Sequence, residues 1–140
     1  MNIDNAFKRY KSFLEGLTID KIDELEIYVS AEIKFRDPFH SVSGLIQMKR
    51  VFRKLFNKVS NINFDIIDYA INENSVFFRW ELRGILSGNI WAVEGVSHVT
   101  FNDQFKVTEH IEYWDAASQF FERFFFIGSI LRFLRRQISD

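Results

Sequence analysis

The order of local patterns in this chain predicts an α+β fold, with helices first and an antiparallel meander after them. Three observations carry that expectation. Apolar residues recur at helical spacing through most of residues 3–58, polar and apolar residues alternate from Asn61 to Asp115, and the alternating runs are separated by hairpin-type turns. Helices gathered ahead of a sheet can cover only one of its faces. The sheet is therefore expected to curl around them as a cone, open at one end.

Taken in order, Ile3, Phe7, Tyr10 and Phe13/Leu14 define a first helix over residues 3–15, and Gly16 is its natural stop. Thr18 offers an N-cap side chain to a second amphipathic helix carrying Ile22, Leu25, Tyr28 and Val29. Ala31–Arg36 is a short strand that ends at Asp37-Pro38. Proline cannot donate to a ladder, and it biases the residue before it away from the helical region. Residues 39–44 form a loop, and Ser43-Gly44 leads into a third helix with Ile46, Met48, Val51, Phe52, Leu55 and Phe56 on its apolar side. Its basic run, Lys49, Arg50, Arg53, Lys54 and Lys58, is expected to be a solvated face. Four strands follow, over 61–72, 75–86, 90–101 and 105–114, with turns at Asn72-Glu73-Asn74, Ser87-Gly88-Asn89 and Asn102-Asp103.

A chain of 140 residues fits one domain, 1–140, large enough to fold without a disulfide or a metal. It has no cysteine, which excludes a thiol nucleophile, a zinc–thiolate site and a disulfide framework. With 18 basic and 19 acidic residues the net charge is −1, so no global field favours nucleic acid or acidic lipid. The opening MNIDNAFKRY is a charged amphipathic stretch rather than an apolar leader, and no run is long enough to span a bilayer. A cytoplasmic protein is expected. The 17 Phe, 3 Trp and 4 Tyr exceed what a plain small core requires, which points to a wide apolar cavity or a sizeable interface.

Chemistry concentrates in the final hairpin, Trp91 to Asp115. Side chains of a strand alternate between faces. One face of this hairpin carries Trp91, Val93, Gly95, Ser97, Val99 and Phe101 on the first strand, with His110, Glu112 and Trp114 on the second. Polar Ser97, His110 and Glu112 on an apolar wall make the pattern of a ligand pocket. His110 reads either as a core histidine bonded to Tyr10 or Glu112, or as a proton-transfer group. An ionised Glu112 in an apolar cavity must be paired, hydrated or functional. Asp37 before Pro38 reads as turn chemistry or as a group at the pocket mouth. His40 lies just beyond, and the sequence leaves its reach to the mouth open. Asp37, His110 and Glu112 are metal-ligand types, but their spacing demands no metal, so neither metal nor cofactor is assigned. No glycine-rich phosphate loop, GxSxG elbow or HExxH is present.

FRDPFHSVSG (35–44) and VEGVSHVTFNDQFKVTEHIEYWD (93–115), in this order behind a helical N-terminal third, resemble the nuclear-transport-factor-2-like superfamily, in particular its SnoaL-like and ketosteroid-isomerase-like members. The resemblance covers essentially the whole length. It implies a cone-shaped (cystatin-like) fold with a curved antiparallel sheet around N-terminal helices, and it implies a single such domain. It places Asp37 where ketosteroid isomerases keep their general base. It implies a pocket lined by Phe78, Trp80, Leu82, Ser97 and Trp114. Ketosteroid isomerases build an oxyanion hole from a tyrosine and a protonated aspartate. The aspartate position is Ser97 here, and the tyrosine position is shared between Tyr10 and Phe13, of which only Tyr10 could donate. Those departures argue against steroid isomerisation. The superfamily mixes enzymes with non-catalytic adaptors, and a fold does not fix chemistry. The expected function is binding of a small, largely apolar molecule, with acid–base chemistry by Asp37 and His110, or a non-catalytic binding or dimerisation module.

Residues 115–140 form a C-terminal helical extension. Phe120, Phe124, Ile127, Leu131, Leu134 and Ile138 make a stripe, and Phe121, Phe125, Phe126, Ile130 and Phe133 widen it, with Arg123, Arg132, Arg135 and Arg136 as a basic side. Gly128-Ser129 is expected to break or bend it. An amphipathic membrane-surface helix has the same pattern. Packing over the cone or across a dimer is the expectation, because the tail follows directly from the last strand. A homodimer is expected on the outer face of the meander, through Ile67, Tyr69, Ile71, Phe77, Val96, Ile111 and Tyr113.

Overall fold

The computed structural model describes residues 1–120 and 125–139. Helix α1 (Ile3–Glu15) leads into a 3₁₀ segment (Ile19–Glu24), a single turn α2 (Leu25–Tyr28), strands β1 (Val29–Arg36) and β2 (Ser41–Ser43), and helix α3 (Leu45–Lys58). Strands β3 (Val59–Asn72), β4 (Ser75–Leu86), β5 (Asn89–Phe101) and β6 (Val107–Tyr113) then form the meander, followed by α4 (Ala116–Gln119) and α5 (Phe125–Ser139). The six strands make one curved, unclosed sheet in the order β2-β1-β6-β5-β4-β3, in which β1 runs parallel to β6 and the other neighbours are antiparallel. The predicted α+β cone is what forms.

Helix α1 starts where Asn2 caps it, its side chain accepting from the Asn5 N–H at 2.8 Å. Its apolar face lies across the concave side of the sheet. Phe7 packs on Tyr69 and Phe78 with ring centroids 4.7 and 5.2 Å away. Tyr10, Phe13 and Leu14 are buried beside it, so this end of the cone is solid core. Helix α3 covers the other end with Met48, Val51 and Phe52.

Local details depart from the sequence reading for identifiable reasons. Thr18 occupies the N-cap position but its side chain makes no capping bond, and the segment after it winds as 3₁₀ helix, which is common in short connecting pieces. Val29 belongs to β1 rather than to the preceding helix. The 39–44 loop contains β2, an edge strand paired with β1 through Lys34 and Ser43. The link between β5 and β6 is not a tight two-residue turn. It closes over 102–106, where Asn102 Oδ1 accepts from the Gln104 and Lys106 N–H groups and Phe105 takes φ +59°.

The largest correction concerns β3. Ile66 pairs with Trp80 but Asp68 pairs with Arg79, so the chain carries an extra residue at Ile67. A bulge of this kind resets the alternation beyond it. Tyr69 and Ile71 therefore pair with the buried Phe78 and Val76 and join the inner face, not the outer face expected for them. The Tyr69 hydroxyl donates to Asp4 of α1 at 2.9 Å.

The C-terminal segment divides. Phe120 packs on Trp91 and Phe39, and Gln119 clamps α4 to β5 through the Glu94 backbone. Helix α5 runs unbroken through Gly128-Ser129, where a break was expected. Its Ile130, Phe133, Leu134 and Ile138 are each at least 51 % exposed, so this part of the stripe does not close the cone. Phe121, Arg123 and Phe124, and the side chains of Phe125, Phe126 and Ile127, lie outside the described residues.

Gly95 pairs across from Trp80 at the middle of the sheet. A Cβ there would stand 2.7 Å from both the Trp80 ring and the Tyr113 carbonyl oxygen, and 2.9 Å from Trp114 Cβ. Only a glycine lets the β6 backbone and two indoles approach this closely. Gly95→Ala is expected to cost about 1–3 kcal/mol through overpacking. Urea denaturation checks this, and an unchanged midpoint would mean that the sheet yields there freely.

Candidate functional site

Between α3 and the sheet the cone holds a cavity of about 450 Å³. Helix α3 contributes Val51, Phe52, Leu55 and Phe56, because residues at i, i+3 and i+4 share one side of a helix. Alternate residues of β4 and β5, Trp80 and Leu82 with Trp91 and Val93, form the opposite wall. Trp114 and Phe120 stand at the C-terminal end of β6, and all three tryptophans of the chain line the cavity. Lys54 and Lys58, one turn apart on α3, also line it and are exposed. The rest of the predicted basic face is solvated only in part: Arg50 is exposed, whereas Arg53 and Lys49 reach Asp23 at 2.6 and 3.5 Å and the Lys49 side chain is largely covered.

Besides Lys54 and Lys58, two groups of ionisable side chains reach this apolar space. The first begins in the core. The buried Tyr10 hydroxyl lies 2.8 Å from His110 Nδ1, and His110 Nε2 lies 3.2 Å from Glu112 Oε1. A carboxylate only accepts hydrogen bonds. With Glu112 ionised, Nε2 therefore donates to it, and Nδ1 accepts from the tyrosine. His110 was open between a core and a proton-transfer role; both of its ring nitrogens are occupied, so it links core to cavity. His110 is 2 % exposed and Glu112 20 %, which makes the carboxylate the member of this chain that meets the cavity.

The second group is Asp37 with His40. The parallel rungs Phe35–His110 and Arg36–Ile111 bring the two groups to the same end of the sheet, since Asp37 and Glu112 are the next residues on each strand. Asp37 Oδ1 accepts from the N–H groups of Phe39 and His40 at 2.8 and 2.7 Å, an Asx-type turn around Pro38. The His40 ring adds Nδ1 at 3.0 and 3.1 Å from the two carboxylate oxygens. Among the described residues no Lys or Arg pairs with Asp37. Its carboxylate is nonetheless engaged by its own turn, and His40, 30 % exposed against 12 % for Asp37, is the more open of the two.

Trp80, Leu82, His110, Glu112, Trp114 and Asp37 thus line the cavity as expected. Tyr10, Phe78 and Ser97 do not line it. They are almost fully buried, because α1 fills that end of the cone. Ser97 accepts from the Trp80 indole N–H at 2.9 Å and so orients a wall residue from behind. The sequence reading did not assign His40, Phe52, Leu55, Phe56, Trp91 or Phe120 to the pocket. The helical spacing of the α3 residues and the inward alternation of Trp91 were the signals available for four of them. Among the described residues no group of three or more His, Cys, Asp and Glu side chains is arranged to hold a metal ion.

The sequence profile of the SnoaL-like domain family matches residues 10–110, which run from Tyr10 in α1 to His110 in β6. No curated protein matches the chain in sequence. Solved structures do match in shape. A putative SnoaL-like polyketide cyclase from a Jannaschia species is similar at TM-score 0.70 and 16 % identity, covering 81 % of this chain and 85 % of its own. A nuclear-transport-factor-2-like protein of unknown function from an Exiguobacterium species has TM-score 0.68 and 18 % identity, over 79 % of this chain and 98 % of its own. An epoxide hydrolase from M. tuberculosis aligns at TM-score 0.67 and 13 % identity, over 84 % of this chain and 81 % of its own. At these identities the likeness is one of fold.

Burial drives the Tyr10 hydroxyl well above the ordinary tyrosine value of 10.0, and the nearby Glu112 charge adds to the effect. A raised folded value contributes stability that is complete below pH ~10 and is lost above it, as the unfolded chain ionises first. Tyr10→Phe should flatten this alkaline loss. At neutral pH it should cost about 1–3 kcal/mol, because it leaves a buried imidazole nitrogen without a partner. Tyr69, raised by its hydrogen bond to Asp4, remains and keeps part of the slope. Melting temperatures of both proteins between neutral pH and pH ~11 check the sign.

Proposed function

Because the chain belongs to the SnoaL-like domain family, we propose that it binds a small, largely apolar molecule in the α3-side cavity and exchanges protons with it through Glu112 and His40. The observation that carries this reading is the cavity itself: about 450 Å³ of mostly aromatic and aliphatic wall, with two hydrogen-bonded ionisable pairs at one end. Ligand sites have this composition, a greasy volume with a few convergent polar groups.

In this reading the division of labour differs from a simple Asp37–His110 couple. Glu112 is the proton acceptor, held in place by His110, which Tyr10 orients from the core. His40 is the second proton carrier. Asp37 fixes its Nδ1 side and leaves Nε2 for the ligand, as a carboxylate behind an imidazole does in other acid–base sites. Asp37 and His110 then position the two groups that meet the ligand. A non-catalytic binding module is the second reading, favoured by one observation: Tyr10, His110 and Glu112 satisfy one another, as do Trp80 with Ser97 and Asp37 with His40.

We also propose a homodimer through the convex face of the meander. Phe77, Val96 and Tyr113 are exposed there, on the rungs Phe77–His98–Ile111 and Val96–Tyr113. Phe77 stacks on His98 with 4.1 Å between centroids, and His98 Nε2 is buried without a hydrogen-bond partner. Apolar surface of this extent is usually covered.

The molecule that co-purifies from the native host, identified by native mass spectrometry, supplies the ligand. Its binding should change the tryptophan fluorescence strongly, since every indole borders the cavity, and Leu55→Arg should weaken it at least tenfold. In heavy water the protein should catalyse deuterium uptake into that ligand. Glu112→Gln and His40→Gln should each slow uptake by roughly 10²–10⁴-fold while binding changes little. Binding without any uptake by the wild-type protein would establish the non-catalytic reading.

For the dimer, sedimentation at micromolar concentration should give twice the 16.7 kDa chain mass. A Phe77→Glu/Val96→Glu double variant should give the single mass. A monomeric wild-type protein would end this assignment.

A further inference from the structure

Helix α5 has two unlike sides. At 100° per residue, Ile130, Phe133, Leu134 and Ile138 fall within an arc of about 140°, and Arg132, Arg135 and Arg136 within an arc of about 100° opposite. Residues 125–139 contain no acidic side chain, so this helix carries three positive charges on a chain whose net charge is −1. Residues 133–139 are exposed on both sides, so the apolar side is left in water as fully as the basic one, with Ile138 87 % exposed. A helix of 15 residues, strongly two-sided and basic, with phenylalanine and branched aliphatics on its apolar side, has the composition that lies in a membrane interface.

Its position relates it to the cavity. Phe120, at the cavity wall, ends α4 five residues before α5 begins. Arg135, in the last turns of α5, acts electrostatically on Asp115, the residue after the cavity-lining Trp114. Helix α5 therefore lies at the same end of the molecule as the C-terminal end of β6.

We propose that α5 is a membrane-surface anchor. Its apolar side enters the headgroup boundary of a bilayer rich in anionic lipid, its arginines contact lipid phosphates, and the cavity end of the cone is held at that surface. Charge complementarity selects this occupant over a second copy of the helix, since an anionic surface answers the three positive charges of residues 125–139, whereas a second α5 adds three more and no acid of its own. The anchor is peripheral, because no helix among the described residues is long and apolar enough to cross a membrane. It does not depend on what the cavity binds.

The test is co-flotation of the full chain with vesicles of phosphatidylcholine alone and of phosphatidylcholine with about one third phosphatidylserine. The expected result is flotation with the anionic vesicles, much less with the neutral ones, and weakening as salt screens the arginines. Phe133→Glu/Leu134→Glu should lower the partition at least tenfold. Arg132→Gln/Arg135→Gln/Arg136→Gln should remove most of the preference for phosphatidylserine. Both variants alter the exposed helix and should keep the wild-type melting transition. Should the first not fold, the arginine variant and the comparison of the two lipids still decide. A wild-type protein that stays at the bottom with both vesicles overturns the proposal. So does flotation of both variants equal to that of the wild-type protein. So does a Phe133→Glu/Leu134→Glu protein whose only change is a halved mass in lipid-free solution, which would identify a second copy as the occupant.

Discussion

The Tyr10–His110 hydrogen bond, 2.8 Å long between residues 100 positions apart, is the contact on which the interior is arranged. It ties α1 to the last strand of the sheet across the concave face. Both groups are buried, and an unpaired hydroxyl or imidazole there would keep its full desolvation cost. The bond thus sets where α1 can sit, and α1 in turn divides the cone. On its side Phe7, Tyr10, Phe13 and Phe78 close the space, and on the α3 side the space stays open. The same bond turns the other nitrogen of His110 toward Glu112, whose carboxylate sets the tautomer, so one interaction joins packing to the chemistry of the cavity wall.

The aromatic excess is explained by that division. Phe7 and Phe13 of α1 and Phe78 of β4 serve the core, Phe52 and Phe56 of α3 line the cavity, and the three tryptophans also border it, each fixed by a different device. Ser97 holds the Trp80 indole, the Gln119 carbonyl accepts from Trp91 at 2.6 Å, and the close approach at Gly95 leaves room for Trp114 beside Trp80. An indole with its N–H satisfied from behind offers a rigid apolar surface in front. The part of the cavity wall made by Trp80 and Trp91 is therefore preorganised, with its polar requirements met inside the protein rather than by the space it borders.

The C-terminal segment serves two ends within a few residues. Asp115 caps α4, accepting from the Ser118 N–H and hydroxyl, and these bonds hold its carboxyl below the ordinary range. With Gln119 clamped to β5, α4 and Phe120 are part of the domain. Beyond them α5 shows its apolar side to the outside. One continuous hydrophobic stripe in the chain is thus used for packing at its start, and its described later part faces solvent.

Much of the fold was legible in the sequence because it rests on period. Helical spacing placed α1 and α3 closely, and strict alternation assigned every inward residue of β5 from Trp91 to Phe101. SnoaL-like membership was likewise carried by local stretches, around Asp37-Pro38 and in the final hairpin. The site was legible only in part. Asp37, His110, Glu112, Trp80, Leu82 and Trp114 could be gathered by face and by resemblance, while Tyr10, Phe78 and Ser97 went to the core. Facing inward does not say whether a residue meets another side chain or an empty volume; that depends on how far α1 extends across the sheet. A single extra residue at Ile67 reversed the faces of Tyr69 and Ile71, and no local pattern announces a bulge, which is defined by its partner strand. His40 could be paired with Asp37 only once the turn around Pro38 had a shape. The stripe of α5 was plain in the sequence, but amphipathicity alone does not name what covers it. Periodicity determines which side of an element is apolar, and tertiary structure decides what that side meets, because only the packed chain fixes which surfaces come within contact distance.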